Sequence, residues 1–552
     1  MLGDVGEAGG ARGLAPGAAA PSAGPSAPGS RAGRGGAGAG RRWIPGGDSG
    51  WWIAAVAAAY TLVQLLSVPA GLGLSWDESV YASQVTPGVP ASPFTAPRAR
   101  GVPLLVAPVT ELTTSTTALR VCLAVVSGLG LLAALWSWRT LRPAWMVALA
   151  GVLFAGLWVT QFYGPQAMPN LWVALSGLAA AGCFLRVSSA GRPGWGAQLG
   201  LAVSLAAAAL FRPSDALWLA LPMAVAAVLA RPPGAPSGRW QWRERLLGAP
   251  AGWWRWRGRL LGLVVGGLAA GAAEWAGEAY LRFGGLAARM SQSSQAEGGF
   301  GLHVAVFDEV KALNGPTLCR PCTVAWKFPE LSAWWFVLPL LAALGAVVSV
   351  RASRCAGDPD RRVPSLLPAL CGICVAVPYL FLINYSAPRF LLPAYALLAI
   401  PVADGLRWLM VRPAGTVRPG IVTAVVAAIA IQLLAQHLVL DRAVRRTMID
   451  HTEFSRIVAD LRAIGVRPPC LLTGEQAIPV AFYARCSSAE IGGMDASVTA
   501  PGVLTASARE PTAVLAYPGQ RRPAYARQWR RYPLPGTRRL RLVAYLPPRP
   551  PG

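Results

Sequence analysis

The sequence predicts a polytopic α-helical membrane protein with a small α/β domain at its C-terminal end. Three observations lead there. Apolar runs of about 20 residues, the length that spans a bilayer, recur from Trp51 onward. Only 14% of residues are charged, against roughly a quarter in soluble domains, and mean hydropathy is +0.43. Short strand-like runs gather after the last apolar segment, in the tail from 438 to 552.

The net charge is +25, from 50 basic and 25 acidic residues, and Lys311 and Lys327 are the only lysines. Abundant Ala, Gly, Pro and Arg point to a coding bias toward G+C, so Arg in place of Lys carries little weight. The excess fits basic cytoplasmic loops and attraction to anionic lipid. No basic stripe with interleaved aromatics stands apart from the apolar segments, so no nucleic-acid partner is expected.

Residues 1–48 are Gly, Ala, Pro and Ser with scattered Arg. Such a segment buries too little apolar surface to offset chain entropy and is expected to be disordered. It does not read as a signal peptide. Arg41 and Arg42, just before the first apolar run, place this end in the cytoplasm.

Eleven apolar segments follow, near 51–74, 118–138, 145–162, 170–186, 198–211, 214–230, 259–281, 333–350, 365–384, 389–410 and 419–437. The fifth is short and ends in Phe211-Arg212-Pro213, as a tilted, broken or interfacial helix would. Starting inside, the cytoplasmic loops hold Arg139 and Arg142; Arg186 and Arg192; Arg231 through Arg257; Arg351, Arg354, Arg361 and Arg362; Arg412 and Arg418. All five are basic, which supports this topology. The outer side then receives loops 75–117 and 282–332 and the tail. The tail is Arg-rich, but long translocated domains are largely exempt from the charge rule. Within it, Leu471-Leu472, 513–517 and 540–545 read as strands, and 475–484 as a helix.

Of nine cysteines, Cys122, Cys183, Cys371 and Cys374 lie in apolar runs, and Cys355 in a cytoplasmic loop. Cys319, Cys322, Cys470 and Cys486 all fall outside, where even numbers suggest disulfides. Cys319-Arg320-Pro321-Cys322 is a lone CxxC. Half a zinc site and a redox motif compete with a local structural disulfide, which is favoured: there is no second CxxC and no thioredoxin-like context. His303, His437 and His451 show no ligand spacing.

The chemistry-bearing stretch is Ser75-Trp76-Asp77-Glu78-Ser79-Val80-Tyr81, where the first membrane helix should end. On a helix, Asp77 and Glu78 point about 100° apart, which suits them to different tasks. They read either as solvated interfacial acids or as groups whose contact with an acceptor hydroxyl is sharpened by a low dielectric. Arg98 and Arg100 read either as snorkelling beside headgroups or as a fork on a lipid phosphate. The tract from Gly101 to Leu105 is apolar enough to dip into the bilayer. Arg212 and Asp215 flank the outer end of the fifth segment and could simply pair. Arg282 and the run Asp308-Glu309-Val310-Lys311 lie in the long loop, the latter resembling a solvated face. Arg389 opens the tenth segment within Asn384-Tyr385-Ser386-Ala387-Pro388-Arg389-Phe390-Leu391-Leu392-Pro393, with Gln161, Gln166 and Asn170 adding polar groups nearby.

SWDESVY after the first segment, a Pro-containing apolar tract closing that loop, Thr117-Ala118-Leu119-Arg120, PRFLLPAYALLAIP and an outer C-terminal domain occur in that order. This layout resembles the C-type (GT-C) membrane glycosyltransferases, in particular glycosyltransferase family 39, the protein mannosyltransferase and aminoarabinose transferase branch. The resemblance spans roughly 50 to 440. It implies a GT-C-like membrane domain over 49–437 and an extracytoplasmic domain over 438–552. It further implies transfer of a sugar from a polyprenyl phosphate to a protein, lipid or wall-polymer acceptor on the outer face of a bacterial plasma membrane. Asp77 would be the catalytic carboxylate and Glu78 its helper, with Arg98, Arg100, Arg212 and Arg389 toward the lipid phosphate. Arginines alone can serve a monophosphate leaving group, so no metal is required, and a divalent ion remains compatible. The family often carries a His-Pro-Pro-Leu-like run in the first loop; this chain has Arg98-Ala99-Arg100-Gly101-Val102-Pro103-Leu104 instead. Two other classes make different demands on the sequence. A transporter or flippase would place ionisable groups near the midplane and show an inverted repeat, and neither is evident. A non-catalytic scaffold would bind through 438–552 and tolerate loss of Asp77.

Overall fold

In the computed structural model, each of the eleven apolar segments forms helix. The structure describes residues 49–189, 194–229, 251–299, 301–314, 317–320, 322–323, 325–356, 363–411, 416–447, 451–536 and 539–548. The expected disordered segment 1–48 and the expected loop arginines Arg192, Arg231, Arg361, Arg362 and Arg412 lie outside them, as do the side chains of Arg354 and Cys355.

Helix α1 (Trp51–Ser67) leads to two helices in the first loop, α2 (Trp76–Ser83) and α3 (Gly101–Leu112). Then come α4 (Thr116–Trp136), α5 (Ala144–Ala155), α6 (Trp158–Tyr163), α7 (Pro169–Ser189), α8 (Trp195–Phe211) and α9 (Pro213–Leu229). α10 (Ala251–Arg282), α11 (Leu286–Ala296) and α12 (Val306–Ala312) precede α13 (Trp334–Ala356), α14 (Val363–Phe381), α15 (Leu392–Met410) and α16 (Pro419–Thr447). Among the described residues seven helices are long and apolar enough to cross a membrane: α4, α7, α10 and α13 through α16. The chain is a multi-pass membrane protein.

Proline accounts for several departures from the expected boundaries. α1 stops at Ser67 rather than near 74, because Val68 precedes Pro69 and is extended. That frees residues 68–75 to carry the chain to α2. Arg212 is likewise extended before Pro213, which opens α9, so α8 and α9 meet at a sharp corner. The expected span 145–162 breaks at Gly156-Leu157 into α5 and α6. The tract from Gly101 is the start of the 12-residue α3. α16 runs past 437 to Thr447.

Glycines bring helix backbones together, as membrane bundles without a strong hydrophobic drive require. A Cβ on Gly271 would lie 2.0 Å from the Ala206 carbonyl oxygen, where α10 crosses α8. One on Gly345 would lie 1.9 Å from that of Pro401, where α13 crosses α15.

The C-terminal domain comprises α17 (His451–Ala463), β1 (Leu471–Gly474), α18 (Ala477–Ala484), β2 (Ser487–Ser488), α19 (Ala500–Ser507), β3 (Thr512–Ala516), β4 (Arg530–Pro533) and β5 (Val543–Leu546). The sheet order is β2-β1-β3-β5-β4. β1 is parallel to β2 and β3, with Leu471 opposite both Ser487 and Thr512; β5 is antiparallel to β3 and β4. The expected strand at 540–545 starts later, at Val543. Phe454, Ile457, Leu461, Leu472, Val480 and Leu515 fill the core between sheet and helices. α18 also packs on α2, and the Leu74 amide donates to the Tyr483 hydroxyl at 3.0 Å. The domain thus sits directly on the first loop.

Candidate active site

Ser75 starts α2, and its amide donates to Glu78 Oε2 at 2.9 Å, the return half of a capping box. Glu78 Oε1 accepts from the Ala167 amide at 2.8 Å, and both its oxygens bond Arg120. Arg120 also donates to the carbonyls of Leu72, Gly73 and Pro165 at 3.3, 2.8 and 3.0 Å. Glu78 and Arg120 are almost wholly buried, at 1% and 2% exposure. Glu78, expected as a helper to Asp77, therefore turns away from the open site and fixes α2 to the starts of α4 and α7.

Asp77 turns the other way and stays 29% exposed. Its Oδ1 accepts from Arg98 Nη2 at 2.9 Å and its Oδ2 from Arg389 Nη2 at 3.3 Å. Arg98 is buried and continues to Asp495 in the C-terminal domain through both Nη atoms, and to Thr95 Oγ1 at 2.7 Å. Asp495 Oδ2 also accepts from the Trp76 indole at 2.6 Å. Two carboxylates, one from each domain, thus share one guanidinium. Burial would raise the Asp77 carboxyl, but Arg98 and then Arg389 outweigh it and hold the group below the usual carboxylate range. The opposing carboxylates correspondingly hold the Arg98 guanidinium charged against its own burial.

The remaining expected site residues separate. Arg100 is drawn away from Asp77: its fork meets Glu278 of α10 at 2.6 Å, Gln84 at 3.0 Å, and its guanidinium stacks 4.0 Å from the Phe94 ring. Arg212 does pair with Asp215, at 3.2 Å, and lies over the Tyr379 and Phe390 rings near Arg389. Asp308 and Lys311 pair at the surface, at 3.4 Å. Glu309, expected in the same solvated face, is instead fully buried, and burial pushes its carboxyl well above the usual range. Cys319 is bonded to Cys322, and Cys470 to Cys486. The first disulfide loop pairs with the approach to Arg389, through Cys319 N to Ser386 O at 2.8 Å and Ser386 N to Cys319 O at 3.1 Å.

Sequence reading missed Asp495, Glu278 and Arg289. Arg289 of α11 is fully buried and donates to the carbonyls of Ala96 at 3.0 Å and Arg98 at 2.9 Å, and to Glu278 at 2.9 Å. It holds the segment that aims Arg98. The one prior signal was a pair of acids, Glu274 and Glu278, near the C-terminal end of the apolar run in α10.

Above Asp77 lies a cavity of about 880 Å³ between the helices and the C-terminal domain. Trp76, Asp77, Arg320, Tyr385 and Arg389 line one side, and Gly474, Glu475, Glu490 and Asp495 the other. Among the described residues no three His, Cys, Asp or Glu side chains gather as metal ligands, and both Asp77 oxygens face guanidiniums. The arrangement can hold an anion on arginines beside an ionised carboxylate, next to room for a second substrate.

No protein-family model matches the sequence, and no curated protein does. Solved structures do resemble the fold. ArnT from Cupriavidus metallidurans, bound to undecaprenyl phosphate, has a TM-score of 0.57 at 13% identity, over 90% of this chain and 98% of that one. Its apo state gives the same TM-score and coverage at 15% identity. The apo Archaeoglobus fulgidus oligosaccharyltransferase has a TM-score of 0.50 at 12% identity, over 81% of this chain and 65% of that one. The chain therefore has the GT-C architecture of these membrane glycosyltransferases.

Proposed function

We propose that the protein is a glycosyltransferase that moves a sugar from a polyprenyl phosphate to a hydroxyl-bearing acceptor at the outer face of a bacterial plasma membrane. The observation that carries this reading is Asp77, ionised and part-exposed, held between Arg98 and Arg389 at the floor of the cavity. The shared fold with a protein solved with undecaprenyl phosphate supports the same donor class.

In this reading the lipid phosphate approaches along the bundle and engages Arg389, with Arg212 adding positive potential. Arg389 already bonds Asp77 at 3.3 Å, the longer of the two Asp77 contacts. A phosphate drawing Arg389 toward itself would weaken that contact and make Asp77 a better base. The acceptor O–H then gives its proton to Asp77 while its oxygen bonds the anomeric carbon. The bond from that carbon to the phosphate oxygen breaks, and the electron pair leaves with the polyprenyl phosphate, stabilised by guanidinium. The Asp77 proton passes on to solvent or the departing phosphate. Arg98 stays on Asp77 and Asp495 throughout, as a positioning residue. Arg389 and Arg212 can serve the leaving phosphate without a metal, and a divalent ion would serve the same charge.

Proteoliposomes given a panel of radiolabelled polyprenyl-phosphate sugars and a membrane extract test the reading. Label should move into the extract, and the active donor names the sugar. No transfer from any donor, with polyprenyl phosphate still bound, would favour a flippase or scaffold instead.

A further inference from the structure

The C-terminal sheet contains a feature that the transfer chemistry above does not use. From β1 the chain passes through α18 to β2 on one side, then through α19 to β3 on the other. The three strands are parallel, so β1 and β3 flank a topological switch point. In open parallel sheets ligands bind beyond the carboxyl ends of strands at that point, where the outgoing connections diverge and leave a crevice. Here those ends are Gly474 and Ala516, and both line the cavity above Asp77.

The connection from β2 supplies the polar group. Residues 490–497 form a loop closed at its neck by Ser497 N to Glu490 O at 2.8 Å and Glu490 N to Ser497 Oγ at 3.1 Å. One arm delivers Asp495 to Arg98 and Trp76. The other delivers Glu490, which is 9% exposed, lines the cavity, and has an Oε1 with no hydrogen-bond partner among the described residues. A buried polar atom left unpaired costs stability unless something else satisfies it.

We propose that the C-terminal domain binds the acceptor in this crevice as a neutral saccharide, one hydroxyl bonding the Glu490 carboxyl while another reaches Asp77. This rests on the glycosyltransferase reading. Several features favour a saccharide. Burial, assisted by the charges of Asp495 and Glu475 and opposed by the Gly474 amide, pushes the Glu490 carboxyl up to about 8. At neutral pH it both donates and accepts, as a sugar hydroxyl does, and gives no charge to hold a Lys or Arg side chain. Tyr385, Tyr525 and Trp76, the last held by Asp495 through its indole, line the crevice and give it the aromatic surface a sugar ring packs against. The volume of about 880 Å³ is near the upper end of ligand pockets, so it has room for more than one sugar ring.

Saturation-transfer NMR on the full chain in nanodiscs tests this, with methyl hexopyranosides, maltose, cellobiose and a neutral Ser/Thr peptide as probes. Undecaprenyl phosphate binding is followed separately by Trp fluorescence. A saccharide should bind wild type, Glu490→Leu should weaken it about tenfold or more, and Glu490→Gln much less. Undecaprenyl phosphate binding should be unchanged in both. Should the leucine variant fail to fold, Gly492→Trp replaces it: a Cβ there meets nothing within 4 Å, so the indole fills the crevice without a backbone clash, and the same loss is expected.

Unchanged saccharide binding in these variants overturns the proposal. So does peptide binding in place of saccharide, or no probe binding while undecaprenyl phosphate binds. Displacement of the saccharide by an undecaprenyl-phosphoryl sugar but not by undecaprenyl phosphate would put the probe in the donor's place and overturn the acceptor assignment. If wild type fails to bind undecaprenyl phosphate, the transferase reading falls and this inference with it.

Discussion

At the residue scale, Asp77 and Glu78 are neighbours with opposite surroundings. Glu78 is buried on Arg120 and the amides of Ser75 and Ala167, and Asp77 faces a cavity between Arg98 and Arg389. Removing one partner of a buried pair strands the other charge, so Arg120→Met should destabilise the protein by about 3–5 kcal/mol. Thermal unfolding in detergent checks this; a loss under ~1 kcal/mol, the size of a surface pair, would contradict it. Glu490 carries a pH prediction. Its proton is kept to about 8 in the folded domain, against 4.5 for the free group. The unfolded state therefore binds fewer protons between those values, and this group's contribution to stability falls as pH rises through that window. Above about 8 it is flat. Hydrogen exchange of the β1 and β3 amides from pH 5 to 8 should lose that slope in Glu490→Gln; an identical slope would contradict the assignment. Asp77 works in the opposite sense. Its folded value lies below 3.8, so its contribution is present above 3.8 and is lost only as pH falls through the lower folded value.

At the scale of elements, prolines and glycines decide where helices stop and how closely they meet. Pro69 ends α1 early and so gives α2 its own start. Gly345 and Gly405 let α13 and α15 touch backbone to backbone, and α15 leads directly from the turn bearing Arg389. Gly345→Leu should force these helices apart, costing about 1–3 kcal/mol and slowing any Arg389-dependent step. Unfolding and transfer rates that both match wild type would refute that packing role. The apolar segments, the SWDESVY stretch and PRFLLP were legible in the sequence because hydropathy and proline act locally. The fate of Arg100 was not. From the sequence it stands two residues from Arg98 with equal claim to a phosphate; only the end of α10, some 180 residues later, supplies the Glu278 that draws it away. Asp495 was hidden for the same reason, in a loop whose neighbours are fixed by domain docking rather than by sequence spacing.

At the scale of the whole molecule, the site exists only where two parts of the chain meet. The described residues form one compact unit, and the Asp77–Arg98–Asp495 chain crosses from the helices into the C-terminal domain. Asp495→Asn should therefore leave the bundle folded but loosen Arg98 on Asp77. We expect transfer to fall about 10- to 100-fold with donor binding retained, since misplacement by about 1 Å has costs of that order. Full activity in this variant would show that the domain contact is not part of the site. The disulfide Cys319–Cys322 acts at this scale too, because it braces the strand-like contact with Ser386, three residues before Arg389.

The most direct test compares wild type and Asp77→Asn in proteoliposomes, following sugar transfer from the active polyprenyl-phosphate donor and polyprenyl phosphate binding in the same preparations. Asparagine keeps the shape and one of the two acceptor oxygens but cannot take the acceptor's proton. The account predicts transfer reduced by about 10²- to 10⁴-fold, the usual worth of a general base, with lipid binding and folding preserved. Substantial transfer by Asp77→Asn would remove Asp77 as the base and with it the central claim.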